Sequence, residues 1–285
     1  MNRLRNRWRR LFSFSAKASA YALTGLALVP LGLVLWYTVA NGWPAATQLD
    51  FYLNVERPVG IPGAGVAHAI VGSAVMVGLA SLIAIPAGVI GGVSLVEFGG
   101  RLAGAVRLAA DVLVGVPSIA IGLFAYVLFV APFHHFSGLA GALALAVLML
   151  PVVVRATEGA VGIIPAGLRE SGLALGLPRW RVALQLVLPA AAPGVITGAL
   201  LAMARAAGET APLLFTGFGN RFWNLDPTQP MSALPLVVFH DALTPYESLQ
   251  RQAWGAALVL VAAMLVINLA SRAVLRRQLQ QAGRL

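Results

Sequence analysis

The sequence predicts an all-α, polytopic membrane protein with six transmembrane helices. Of its 285 residues, 59% are hydrophobic and 11% are charged, whereas soluble domains are about half apolar and about a quarter charged. A helix that crosses a bilayer needs about 20 mainly apolar residues. Six segments meet this requirement, at about residues 18–40, 67–96, 106–131, 138–155, 190–215 and 254–275.

The basic residues are unevenly distributed over the connections between these segments. If the N-terminus is cytoplasmic, sixteen of the 20 basic residues fall on the cytoplasmic side and three fall outside. Because excess arginine and lysine marks cytoplasmic connections, and six spans return the chain to its starting side, we expect both termini in the cytoplasm. The inner residues are Arg3, Arg5, Arg7, Arg9, Arg10, Lys17, Arg101, Arg107, Arg155, Arg169, Arg179, Arg181, Arg272, Arg276, Arg277 and Arg284, and the outer ones are Arg57, Arg221 and Arg251.

Composition excludes several kinds of site. The net charge of +10 falls in short arginine clusters between apolar runs, which favours contact with the anionic face of a lipid bilayer over binding of nucleic acid. With no cysteine there is no disulfide or thiolate metal site, and we expect no metal and no catalytic residues. The one lysine, Lys17, does not lie in a P-loop, so any ATP-driven work requires a partner.

The inner loop between the fourth and fifth spans is unusually long. We predict two short helices in it, at about residues 165–175 and 178–188, with Gly176 as the break between them. Such an amphipathic hairpin is suited either to lie in the membrane interface or to be gripped by a cytosolic partner. One face of the first helix carries Leu168, Gly172 and Leu175, beside Arg169 and Glu170.

This loop resembles a motif of the permease subunits of ATP-binding-cassette importers, E-A-A-x3-G-x9-I-x-L-P. The spacing matches throughout, with Ser and Gly in place of the two alanines and Leu in place of isoleucine. The resemblance implies a type I importer permease fold whose loop docks in a groove of the ATPase. The matching positions are Glu170, Ser171, Gly172, Gly176, Leu186, Leu188 and Pro189, and the expected coupling residues are Arg169, Glu170, Ser171, Gly172, Leu175 and Gly176.

Two charged residues stand inside the fifth predicted span. Arg205 and Glu209 are four residues apart and share one face of a continuous helix. If that helix starts near Pro193, Arg205 lies about 18 Å along it, well inside a hydrocarbon layer of about 30 Å. The pair could be structural, either as an ion pair that holds two helices together or with the Arg205 side chain extended outward to the membrane surface. Alternatively, Arg205 lines a route for an anion and Glu209 orients its guanidinium.

The surrounding stretch "ARAAGETAPLLFTG" is similar to the signature of phosphate-importer permeases of the PstA type. Sulfate and molybdate permeases share A-R-A-x-G-E but lack the following Thr-Ala-Pro. Further similarity extends from about His68 to Arg272 and includes "VGVPSIAIGLFAY" and "FWNLDPTQPMSALP". The resemblance implies a permease subunit of an ATP-driven phosphate importer; the alternatives are another oxyanion, sulfate or molybdate, or a stand-alone anion carrier or channel.

The resemblance also implies partners and a location. We expect a second homologous permease, a dimer of ATP-binding-cassette ATPase subunits that binds ATP and Mg, an extracytoplasmic phosphate-binding protein, and the inner membrane of a bacterium. The chain itself is expected to hold no cofactor. Thr210 either bonds to the backbone of its own helix or adds a hydroxyl donor to the substrate path, and Arg155 either gives an inner vestibule positive potential or anchors the chain.

We divide the chain into three parts. Residues 1–66 hold a basic segment, the first span and the first outer loop. Residues 67–275 form the permease core of five spans, with the coupling loop at about 156–189 and an outer loop at about 216–253. Residues 276–285 form a basic cytoplasmic tail.

Overall fold

The computed structural model describes residues 2–282, and every regular element in that range is a helix. The helices have the following bounds: α1 Asn2–Ala46, α2 Leu49–Leu53, α3 Ala67–Glu97, α4 Arg101–Gly115, α5 Ser118–Phe129, a 3₁₀ turn Ala131–Phe133, α6 Gly138–Gly162, α7 Ala166–Ala174, α8 Arg179–Arg181, a π-helical stretch Val182–Val187, α9 Leu188–Ala207, α10 Ala211–Thr216, α11 Leu234–Ala242 and α12 Glu247–Ala282. The prediction of an all-α membrane protein is confirmed.

Five helices in the described residues are long and apolar enough to cross a membrane. The second predicted span agrees with α3 almost to the residue, and the fourth extends seven residues further, to Gly162. The five are Phe12–Ala46, Ala67–Glu97, Gly138–Gly162, Arg179–Ala207 and Glu247–Ala273. The outer loop 216–253 contains the short helix α11, as its proline density predicts.

The third predicted span is not one helix. Its two halves, α4 and α5, are bent by 108° relative to each other at Val116 and Pro117. Proline offers no backbone N–H and forces the residue before it into an extended conformation, and Val116 has a ψ of 132°. Counted as one bent span, this pair brings the total for the described residues to six.

The fifth predicted span has different bounds. The helix runs without interruption from Arg179 to Ala207, so the separate second helix predicted in the inner loop is wrong, and Pro193 lies inside the helix instead of at its start. The turn before Pro189 winds as a π-helix, a local rearrangement that lets a helix continue past a residue without a backbone donor.

Small residues bring the spans together. Gly88 and Gly92 of α3 lie against Val153 and Thr157 of α6. Glycine without a side chain allows such close contact between membrane helices, where packing and not water exclusion drives association. On a neighbouring face of α6, Gly194 of α9 packs closely against Ala160. The α3–α6–α9 bundle is therefore the rigid centre of the fold, and α1 packs chiefly on α12 at its edge.

Candidate functional site

Arg205 and Glu209 meet at a break in the helix. Arg205 is in the last turn of α9, and Glu209 lies in the connection of residues 208–210 before α10. Pro212 explains the break, because it has no N–H to donate to Gly208 and its ring would clash with that carbonyl. The expected i,i+4 contact therefore exists, with Arg205 Nε 3.5 Å from Glu209 Oε1, but it spans a helix end and not a continuous helix.

The depth of this pair follows from the antiparallel packing of α9 on α6. Gly198 lies against Ala156. Arg205 follows Gly198 by seven residues, so it is level with about Met149. That level is roughly 16 Å from the outer start of α6 at Gly138, near the middle of a hydrocarbon layer of about 30 Å. Pro193 does not start the helix as predicted, but the packing of α9 on α6 supports the predicted mid-membrane depth of Arg205.

The two side chains differ in exposure. The Arg205 side chain is 51% exposed on the surface of this chain, whereas that of Glu209 is 17% exposed. A guanidinium at this depth is too costly to leave in lipid, by about 2.5–3.5 kcal/mol or more. Arg205 must therefore face another subunit or a water-filled path. Thr210 follows directly and is partly buried where α10 begins.

Arg155 lies elsewhere, in a network of four charges between α4 and α6. Its guanidinium donates to Asp111 Oδ1 at 2.8 Å and Oδ2 at 2.5 Å, and to Glu158 Oε2 at 2.5 Å. Arg107 also donates to Glu158, and to the carbonyl of Leu95 in α3 at 2.9 Å. This network fixes α4 against α3 and α6 on the side predicted to be cytoplasmic.

Sequence reasoning missed Glu158. The fourth span was predicted to stop at residue 155, so Glu158 was counted in the inner loop. The signal was present in the i,i+3 spacing of Arg155 and Glu158, which places the two side chains on one helix face. In the structure Glu158 is the acid shared by two arginines.

The coupling loop forms a small helical unit. Its helix α7 packs on the π-helical stretch through Gly172, where an added Cβ would lie 2.7 Å from Leu186 Cδ1. Glu170, Ser171 and Leu175 remain exposed at the tip, with Leu175 82% exposed. Gly176 has a φ of 79°, a conformation that favours glycine and reverses the chain after α7.

Arg169 ties this unit to the spans. Its Nε donates to Glu97 Oε1 at the end of α3, at 2.8 Å. Its two terminal nitrogens donate to the carbonyls of Ile164 and Val161 at the end of α6, at 2.6 and 3.0 Å. The side chain is 22% exposed. Arg169 therefore points inward and links α7 to two spans, leaving the exposed tip for other contacts.

A bundle of this kind with a small exposed helical unit at one end is the architecture of a transport permease. The family described as "Binding-protein-dependent transport system inner membrane component" matches residues 84–281. The chain belongs to this family, and more particularly to its phosphate transport system permease (PstA) members. It is 38% identical to PstA of Yersinia pestis over 97% of this chain and 94% of the relative. It is 43% identical to PstA of Xylella fastidiosa (strain Temecula1) over 84% of each chain.

Solved structures share the fold. A chain of the MetNI methionine ABC transporter superposes with a TM-score of 0.58 and 18% sequence identity, over 74% of this chain and 93% of that one. A second crystal form of MetNI gives a TM-score of 0.57, also at 18% identity, over 75% and 94%. At this identity the similarity concerns the fold alone, and the predicted type I ABC importer permease architecture is confirmed.

Proposed function

We propose that the chain is the permease subunit of an ATP-driven phosphate importer, with Arg205 and Glu209 as its part of the translocation path. The observation that carries this proposal is their meeting at a helix break near mid-membrane, with the arginine open to the chain surface. In many secondary transporters the substrate site lies near the bilayer midplane, at discontinuous helices, and we infer the same arrangement here. The PstA relatives supply the substrate class.

The chemistry of the two side chains suits phosphate. The guanidinium of Arg205 presents a planar fork of donors that matches an oxyanion. Phosphate near neutral pH keeps at least one hydroxyl, which can donate a hydrogen bond to the Glu209 carboxylate, whereas sulfate has no proton to donate and would be repelled. Thr210 follows Glu209 and could add a hydroxyl donor. A role for Arg155 in the path would require its ion pairs with Asp111 and Glu158 to open.

The partners follow from the family. The exposed residues Glu170, Ser171 and Leu175 at the tip of α7 are available to a groove of the ATPase subunit, and Arg169 passes the movement to α3 and α6. ATP and Mg would be bound by those ATPase subunits and not by this chain, whose one lysine is not in a P-loop. A companion permease and an extracytoplasmic phosphate-binding protein complete the assembly in the bacterial inner membrane.

Uptake of labelled phosphate by the assembled transporter tests the path. Arg205→Gln removes the charged donors, and we expect uptake to fall about 10- to 100-fold, as for loss of hydrogen bonds to a charged group. Glu209→Gln should keep uptake but lose the preference for phosphate over sulfate. The matched control is Arg251→Gln, because Arg251 and Glu247 form the same i,i+4 pair but are exposed at the outer surface.

Assembly and ATP hydrolysis are measured alongside. Normal uptake and unchanged selectivity in both variants would mean that the pair is only a structural clamp. Preferred uptake of sulfate or molybdate by the wild type would instead contradict the assignment to phosphate.

A further inference from the structure

A polar cavity lies at the end of the bundle predicted to face outward. Its volume is about 260 Å³. Three separate segments enclose it: Glu56 from the connection between α2 and α3, Arg221 from the loop of residues 217–233, and His240 and Asp241 from α11. Neither Arg205 nor Glu209 lines the cavity, and the proposed translocation chemistry does not use it.

The charges around the cavity are not balanced. Asp241 is 2% exposed, and its Oδ2 atom has no hydrogen-bond partner among the described residues. The Glu56 side chain is 8% exposed and pairs with Arg221 Nε at 3.1 Å, while Arg221 itself is 69% exposed. Two buried carboxyl groups therefore lie near one arginine, Arg221, and only Glu56 forms an ion pair with it. An unpaired buried carboxylate oxygen calls for a further donor.

The walls of the cavity are held by specific bonds. The Oγ atom of Ser73 in α3 accepts a hydrogen bond from the N–H of Leu234 at the start of α11, at 2.8 Å. The amide of Asn220 donates to the carbonyl of Pro230 at 3.2 Å and closes the loop that carries Arg221. These bonds fix the start of α11, the helix that carries Asp241, and the loop that carries Arg221.

We propose that this cavity receives a lysine or arginine side chain of the extracytoplasmic protein that delivers the substrate, with Asp241 and Glu56 as its carboxylate partners. The inference rests on the proposed function, which calls for such a delivering protein. The exposed side chains of Arg221 and His240 flank the cavity, so it is accessible from outside. The described residues contain no cluster of three acidic or histidine side chains that could hold a metal ion, which favours a cation carried on a side chain.

Protonation of Asp241 links this docking to pH. The pKa of Asp241 is raised to about 7, chiefly by burial and also by the nearby charge of Glu56, while Arg221 acts in the opposite direction. Burial also raises the pKa of Glu56, against the effect of Arg221, and burial followed by Arg221 lowers the pKa of His240.

The other elements that pack on α11 add little charge. On α12, Glu247 and Arg251 pair with each other at 3.2 Å and are exposed. On α3, His68 is buried without a hydrogen-bond partner among the described residues. A docked cation holds Asp241 in its ionised form, so docking must displace the proton that Asp241 carries below its pKa.

Binding of the phosphate-loaded binding protein to the complete transporter in lipid nanodiscs tests the proposal. For the wild type we expect the Kd to fall about tenfold between pH 6 and pH 8, because Asp241 with a pKa of about 7 must lose its proton. Asp241→Asn should weaken binding at pH 8 at least about tenfold and remove this pH dependence. Glu56→Gln should also weaken binding. The control Glu247→Gln makes the same charge change at an exposed site and should leave the Kd unchanged.

An unchanged Kd and pH dependence in Asp241→Asn would overturn the proposal, as would an equal loss of binding in Glu247→Gln. Phosphate uptake by the wild type separates this result from failure of the proposed function. A wild type that neither binds the protein nor imports phosphate refutes both proposals. A wild type that does both, with binding indifferent to Asp241 and Glu56, refutes only the docking cavity.

Discussion

Replacement of Arg169 by glutamine should uncouple the loop helix α7 from the membrane spans. In the wild type the guanidinium bridges Glu97 of α3 and two carbonyls at the end of α6, at 2.6–3.0 Å. Glutamine is shorter and uncharged, so it cannot make these contacts together. Glu97, whose side chain is 10% exposed, then loses its cationic partner.

The size of the effect follows from these contacts. A hydrogen bond to a charged group contributes about 1.5–3 kcal/mol net. The Arg169 side chain is about one-fifth exposed, and the two carbonyls can be solvated when α7 opens, so we take about 3 kcal/mol for the three contacts together. Since about 1.4 kcal/mol corresponds to a factor of ten, local opening of α7 should become about 100-fold more frequent.

Hydrogen–deuterium exchange of residues 166–174 in the assembled transporter measures this opening. We expect exchange in α7 to accelerate about 100-fold, and phosphate imported per ATP hydrolysed to fall while hydrolysis continues. The exposed Arg179 in the same loop supplies the control variant Arg179→Gln. Exchange and coupling ratio equal to those of the wild type would refute the view that Arg169 transmits movement from α7.

Two further predictions concern stability. Burial raises the pKa of Asp241 from 3.8 to about 7, so the folded state binds this proton more tightly and stability falls as the pH rises between those values, by about 1.4 kcal/mol per pH unit. In thermal unfolding, the Tm of Asp241→Asn should therefore rise relative to that of the wild type as the pH goes from 5 to 8. A Tm difference that stays constant over this range would contradict the assigned pKa. Gly198→Ala places a methyl group against Ala156 of α6 and should destabilise the fold by about 1–3 kcal/mol. The control Gly159→Ala meets no described atom within 4 Å and should be neutral or slightly stabilising. Equal Tm values for the two variants would show that α9 and α6 are not closely packed there.

The number and class of the membrane helices were predictable because hydrophobic length is a property of the chain itself. Their breaks were harder to predict. Proline is common within membrane helices, so Pro117, Pro193 and Pro212 look alike in the sequence. In the structure, however, the first marks a 108° bend, the second is accommodated inside a helix and the third follows a break. Only the packing of neighbouring elements decides among these outcomes.

The candidate site shows the same division. Arg205 and Glu209 could be found from the sequence because charge in an apolar run is costly and therefore informative. Their helix break and the ion pairs of Arg155 could not, since Asp111 and Arg155 are 44 positions apart. The outer cavity was also missed: Glu56, Arg221 and Asp241 belong to three outer segments, and nothing local indicates that they meet.

The sharp bend between α4 and α5 has a consequence for biosynthesis. The two halves have 15 and 12 residues, and neither reaches the about 20 apolar residues that a translocon recognises as a complete span. Arg107 and Asp111 in the first half gain their oppositely charged partners only when α6, 44 to 51 positions later, has left the ribosome. We therefore expect α4 to lie at the lipid headgroups until α6 is available, so that stable insertion of this span depends on the one that follows it in the chain.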